Sequence, residues 1–294
     1  MYTHVLFFTL LPLFLCALTQ DMILDYKGLD RKYLIHVPET KPKTPIPLVM
    51  VLHGARGGAQ EAAKHFGWIE KADEENFIIV FPEAGPRNPN RPTDPVSNPF
   101  LWNDANRKDL LSDDIGFLRK VIEDVSAHFP VDSGRVYITG FSRGASMAFT
   151  AGIALSDIVA AIAPVSGHLW LKNPRPLHEV SLLLIVGDAD PKNPLEGGKL
   201  QRKKKPAMIQ SVYTWLKILG IPRSDRRIER AYGVTTMRWG PNKEGREAIF
   251  IVVSGQGHEW PGGIRRFPPA YSGNMVDFFD ATDVIWDFFK TQTR

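Results

Sequence analysis

Apolar residues fall along this chain in two rhythms that take turns. Residues 47–52 are a continuous apolar run with Val49 and Val51 inside it, the pattern of a strand covered on both faces. Similar runs stand at 77–81, 158–165, 181–186 and 248–253. Two shorter strands at 22–26 and 31–37 flank Lys27-Gly28-Leu29-Asp30, a hairpin turn. Helical spacing appears between them. Residues 60–75 repeat through Ala63, Phe66, Ile69 and Ala72. Another helix is predicted from Ser112 as N-cap, with Asp113 and Asp114 favouring its first turn, to His128 before Pro130. Residues 207–219 form a third, ended by Gly220 and Pro222, and 280–290 a fourth, with Val284, Ile285, Phe288 and Phe289 apolar. Strands alternating with helices predict an α/β fold with a mainly parallel sheet, helices on both faces and the first two strands as an antiparallel edge. Residues 84–111 break the rhythm. Pro86, Pro89, Pro92, Pro95 and Pro99 crowd that stretch, which reads as a long loop or small cap.

The β-branched run Val136-Tyr137-Ile138-Thr139 leads into Gly140-Phe141-Ser142-Arg143-Gly144, and a helix opens at residues 144–148. Strand, sharp Gly-Ser turn and helix make the nucleophile elbow of an α/β-hydrolase, with Ser142 as nucleophile. A Gly-Ser turn without chemistry is the competing reading. Partners in the right order decide between them.

A serine needs a base to take its proton, and the base needs an orienting acid. In α/β-hydrolases these follow the serine in the order acid, then histidine, at strand ends. The acid candidates lie in Gly187-Asp188-Ala189-Asp190-Pro191, after strand 181–186. Asp190, further into the turn and held by Pro191, is preferred over Asp188, which is better placed to cap the loop. The base candidate is His258, in the glycine-rich loop after strand 248–253. His168 and His178 precede the acid and break the order. His53 shapes a turn with Gly54, His4 lies in the leader, and His36, His65 and His128 read as structural.

An oxyanion needs backbone donors. One is the amide of Arg143, next after the nucleophile. The other comes from His53-Gly54-Ala55-Arg56-Gly57-Gly58, with Ala55 preferred and Arg56 behind it. Trp102, Phe141 and Trp260 fall near the catalytic edge as candidate substrate-binding walls, and Trp170 is an additional candidate. Each has core or loop anchoring as its alternative role.

Several segments together resemble the polyhydroxybutyrate depolymerase family of esterases, which is similar to feruloyl and acetylxylan esterases. They are Leu52-His53-Gly54 with its following glycines, Trp102-Asn103-Asp104, Asp113-Asp114-Ile115-Gly116-Phe117, the stretch from Arg135 through Ser142, and Gly257-His258-Glu259-Trp260-Pro261-Gly262. Asp190-Pro191 followed by Asn193-Pro194 resembles that family's acid loop, which favours Asp190. The resemblance runs from about residue 25 to the C-terminus. It implies an ester substrate, either a polyester oligomer or a plant cell-wall ester. Many extracellular relatives carry disulfides, which this chain without Cys16 cannot form, and no polymer-binding domain is recognisable.

The 294 residues suffice for one large domain, expected over 20–294. Net charge is +4, and the run Arg202-Lys203-Lys204-Lys205 supplies part of it as a solvated loop. No nucleic-acid signature accompanies it, so no nucleic-acid partner is expected. Residues 5–18 are apolar with Pro12 among them, shorter than a membrane span, and fit a signal peptide over 1–19. The expected location is secreted or periplasmic, without stable membrane insertion after cleavage. No metal-ligand spacing or nucleotide loop is present, so no metal and no cofactor are expected. The reading is a secreted serine esterase. A peptidase or acyltransferase on the same fold is the alternative, then a non-catalytic hydrolase-like binding protein.

Overall fold

The computed structural model describes residues 18–39, 44–88, 90–94, 96–106, 110, 112–200 and 203–294. The leader through residue 17 with Cys16, the prolines at 89 and 95, and Arg202 lie outside the described residues. Leu18 and Thr19, the last two residues of the expected leader, are the first of a strand.

That strand, β1 (Leu18–Tyr26), forms a hairpin with β2 (Leu29–Val37) around a two-residue turn. After them come β3 (Ile46–Leu52), α1 (Ala59–His65), α2 (Trp68–Glu75), β4 (Ile78–Pro82), α3 (Asp114–His128), β5 (Val131–Phe141) and α4 (Arg143–Ala154). The second half carries β6 (Ala161–Val165), β7 (Ser181–Gly187), a small separate hairpin of β8 (Gly198–Leu200) and β9 (Lys203–Lys205), and α5 (Ile209–Ile218). It closes with β10 (Arg227–Ala231), β11 (Val234–Trp239), β12 (Ala248–Val253), α6 (Pro269–Ser272) and α7 (Ala281–Phe289).

Ten strands form one sheet in the order β1-β2-β4-β3-β5-β6-β7-β12-β11-β10. The six from β4 to β12 are mutually parallel, and an antiparallel hairpin closes each end. Successive strand side chains point to opposite faces, so an unbroken apolar run must be covered twice. In β3, Leu48, Met50 and Leu52 enter one core with Phe117, Val121, Met147, Val212 and Trp215 from α3, α4 and α5. Val49 and Val51 enter the other with Ala62, Trp68, Ala72, Ile285 and Phe289 from α1, α2 and α7.

Several expected boundaries move. The helix expected over 60–75 is two helices, because Gly67 takes φ 71°, a left-handed conformation that ends one and starts the other. The cap of α3 is Asp113, whose carboxylate accepts from the Gly116 amide at 3.0 Å. Ser112 instead donates its hydroxyl to Asp114 at 2.9 Å. The strand expected over 136–139 extends through Val131–Phe141, and that expected over 158–165 begins at Ala161. The hairpins β8–β9 and β10–β11 are not among the expected elements. β10 is exposed at every position, so it lacks the apolar alternation that betrays a strand.

Among the described residues of 84–111 there is no helix and no regular strand, only the bridges Pro86↔Phe100 and Asp94↔Asn98. The stretch is held by polar bonds. The Asn98 amide donates to the carbonyls of Asn88, Arg91 and Pro92, each at 3.0 Å. The Asn103 amide donates at 2.7 Å to Asp114, whose other carboxylate oxygen pairs with buried Arg31 at 2.8 Å. Among the described residues no helix is long and apolar enough to cross a membrane.

Candidate active site

The parallel strands deliver their carboxyl ends to one edge, where ligands of open α/β sheets bind. Ser142 stands there between β5 and α4, at φ 56° and ψ −110°. A side chain in that region is strained by roughly 1–3 kcal/mol, a cost the surroundings must hold in place. The hold is visible: the Ser142 amide donates to the Val165 carbonyl at 2.9 Å, tying the elbow to the end of β6.

Asp190 follows β7 and His258 follows β12, and the structure brings both to Ser142. The His258 Nδ1 lies 2.7 Å from Asp190 Oδ2, and its Nε2 lies 2.9 Å from Ser142 Oγ. A carboxylate only accepts, so the ring proton sits on Nδ1 and leaves Nε2 to accept from the serine hydroxyl. Asp190 is buried, and its remaining lone pairs are filled. Ser166 Oγ donates to Oδ2 at 3.0 Å, and the amides of Lys192 and Asn193 donate to Oδ1 at 2.7 and 2.8 Å. Burial works to raise its pKa, but the bond from His258 and the backbone donors outweigh it and hold the carboxyl below its usual range. Asp188 is exposed and caps the loop, accepting from the Gly255 amide at 2.7 Å.

The loop after β3 is set from behind by His53, fully buried. Its Nδ1–H donates to the Gly54 carbonyl at 2.8 Å, and its Nε2 accepts from the Ala84 amide at 3.0 Å. Burial pushes this imidazole down to about 4, with Arg266 repulsion adding to it, so it is neutral. The Arg56 amide donates to the Phe100 carbonyl at 3.3 Å, which occupies it. The Ala55 amide makes no hydrogen bond with another described residue. Arg143 opens α4, where first-turn amides point out of the helix end. Its guanidinium reaches back to the Trp102 carbonyl at 2.8 Å and to buried Asp104 at 2.7 Å.

The aromatic candidates are corrected. Trp102 is fully buried, with its indole donating to the His53 carbonyl at 2.9 Å. Trp260 is buried and stacked on Phe66 at 4.5 Å, its indole donating to Thr282. Phe141 is buried with its ring 4.8 Å from that of His258. All three anchor loops or back the imidazole, because their faces are already covered by protein. Trp170 alone among the four is half-buried, 4.9 Å from the ring of His168. His168 itself is buried, and neither ring nitrogen has a partner among the described residues.

The sequence reading places Asn193 in the acid loop by resemblance but gives no role there to it, to Ser166 or to Lys205. Ser166, Asn193 and Lys205 all bond toward Asp190 or its loop. Ser166-Gly167, just past the end of β6, is the signal that points to the first of these. Glu259, next to His258, accepts from the amides of Arg266 and Phe267 and so fixes the loop beyond the histidine.

A cavity of about 330 Å³ lies beside the loop after β3, lined by Arg56, Gly57, Glu61, Glu83, Asn98 and Phe100 among others. A larger one of about 670 Å³ lies among residues 262–280, and no residue of the Ser142–His258–Asp190 line borders either cavity.

Sheet order, elbow and strand-end loops define the class: an α/β-hydrolase. The chain belongs to the phospholipase/carboxylesterase family, whose pattern matches residues 35–216. NocK of Nocardia uniformis subsp. tsuyamanensis, a protein named as an esterase, is 30% identical over 289 residues, covering 89% of this chain and 79% of NocK. Poly(3-hydroxyalkanoate) depolymerase C of Paucimonas lemoignei is 28% identical over 45% of this chain, but that match spans 30% of its own length. Among solved structures, the acetyl xylan esterase from Aspergillus awamori superposes with a TM-score of 0.62 at 15% identity, covering 92% of this chain and 99% of that one. The chain is a carboxylic ester hydrolase.

Proposed function

We propose that hydrolysis proceeds through Ser142, His258 and Asp190 and an acyl-enzyme. His258 Nε2 takes the hydroxyl proton as Ser142 Oγ attacks the ester carbon. Asp190 orients the ring and stabilises the imidazolium that forms. The amides of Ala55 and Arg143 hold the oxyanion, a donor pair in which each member is worth about 3 kcal/mol in such sites. His258 then gives its proton to the leaving alcohol, and water, activated by the same ring, releases the acid. The observation that carries the reading is the continuous line of two hydrogen bonds, 2.9 and 2.7 Å, from hydroxyl through imidazole to carboxylate.

The substrate reading is a polyester oligomer or plant cell-wall ester. The names of relatives support it. The reading extends to a single catalytic domain exported behind the apolar leader. Short p-nitrophenyl esters offered to wild type and Ser142→Ala test the mechanism, and equal rates overturn it. Hydroxybutyrate oligomers, methyl ferulate and acetylated xylan, compared side by side, assign the substrate.

A further inference from the structure

We propose that Lys205 is a positioning residue for the Asp190–His258 pair, acting through Asn193, and that the β8–β9 hairpin is part of the reaction machinery. The inference rests on the triad reading above. Lys205 ends β9, and its ammonium donates to Asn193 Oδ1 at 2.5 Å and to the Lys192 carbonyl at 2.7 Å. Those two residues are the ones whose amides hold Asp190 Oδ1, at 2.8 and 2.7 Å. With its oxygen bound to the ammonium, the Asn193 side chain directs its NH2 the other way, onto the Ser166 carbonyl at 2.5 Å. Ser166 in turn donates its hydroxyl to Asp190 Oδ2, the oxygen that receives His258. Both carboxylate oxygens are thus fixed by groups that Lys205 ties together.

The arrangement is charge-assisted, which makes such bonds short and strong. Asn193 is buried and Lys205 is half-buried, so water competes poorly for either. A surface lysine in a basic run has no need of two specific acceptors inside an acid loop. The lysine's stem spans from the hairpin to residues 192 and 193, so the hairpin adds a hold on a turn that Ser166 and His258 also engage. Loss of the ammonium frees the Asn193 amide to rotate, and the carboxylate then has more than one orientation under the imidazole.

The test compares wild type, Lys205→Met, Lys205→Arg, Asn193→Ala and the double variant Lys205→Met/Asn193→Ala, with folding followed by circular dichroism. Two readouts are taken. One is kcat and KM on p-nitrophenyl acetate. The other is the far-downfield proton resonance of the His258 Nδ1–H bonded to Asp190, which needs no turnover. Lys205→Met should lower kcat by roughly ten- to a hundredfold, as misplacement of a reacting group does, with KM within about twofold. It should also broaden or move the downfield resonance. Lys205→Arg should restore both readouts in large part. Asn193→Ala should match Lys205→Met, and the double variant should lose no more than either, since the two act in one line. A folded Lys205→Met or Asn193→Ala with wild-type kcat and an unmoved resonance overturns the proposal, as does full additivity in the double variant. Failure of the triad reading looks different: Ser142→Ala keeps wild-type turnover while the Lys205 variants still move the resonance.

Discussion

Gly144, in the first turn of α4, is pressed against the carbonyl of Leu52 at the end of β3: a Cβ on Gly144 would sit 2.1 Å from that oxygen. Gly140, on the strand side of the elbow, meets the Gly144 backbone at 2.7 Å in the same way. The elbow is therefore wedged between two backbones, and this is what allows Ser142 to remain at φ 56°. Gly144→Ala should cost well above the roughly 1 kcal/mol typical of point changes, since backbone rather than a flexible side chain must move. Urea unfolding measures the loss, and fluorophosphonate labelling should fall with it. A Gly144→Ala protein of wild-type stability would refute the wedge.

The two aspartates of the acid loop should behave differently. Asp190→Asn should reduce kcat by about 10³–10⁴, because the amide favours the wrong imidazole tautomer while leaving the fold intact. Asp188→Asn, at an exposed carboxylate that accepts from the Gly255 amide, should stay within about threefold of wild type. Steady-state kinetics on one ester decides, and reversed effects would transfer the acid role to Asp188.

Acid should destabilise the protein in a defined window. Burial pushes both His53 and His168 down to about 4, and both are neutral in the fold. The unfolded chain binds their protons near pH 6.5, so the stabilisation is complete above that pH and is lost as pH falls toward 4. Each imidazole contributes on the order of 3 kcal/mol across the window. Asp190, held below its usual range, adds a loss of the same sign at lower pH. Urea midpoints should drop steeply between pH 7 and pH 4.5, and His168→Leu should flatten that dependence. A pH-independent midpoint would contradict it.

Trp102 and Asp104 bind the proline-rich stretch to the elbow. Asp104→Ala removes the buried carboxylate that pairs with the mostly buried guanidinium of Arg143 and should lower stability, by up to about 3–5 kcal/mol. Trp102→Phe removes the bond to the His53 carbonyl and should cost about 1–2 kcal/mol. KM values across a panel of esters should hardly change in Trp102→Phe. A selective change in KM for aromatic acyl groups would instead return this tryptophan to the substrate wall.

Much of this was legible before any coordinates. The apolar run at 248–253 matches β12 residue for residue, because a strand buried on both faces leaves no polar position to blur its ends. The order Ser142, Asp190, His258 could be read from turn residues behind such runs, and the structure brings the three side chains together. Helix ends were read less well, since a cap depends on which of several adjacent polar residues reaches the first turn. Asp113 rather than Ser112 does so. The edge strand β10 was invisible, because hydrogen bonding to a neighbour leaves no mark on residues that all face water.

The layering of the fold, the elbow and the residue types at the strand ends follow from periodicity and turn chemistry, which are local properties that any reading of the chain can find. That Trp102, Phe141 and Trp260 are covered, and that a lysine in a basic run reaches the acid loop, emerge from the packed fold alone. Those outcomes depend on distances between segments far apart in the chain. Such distances are set by packing the whole sheet and both helical layers at once, not by the composition of any one segment.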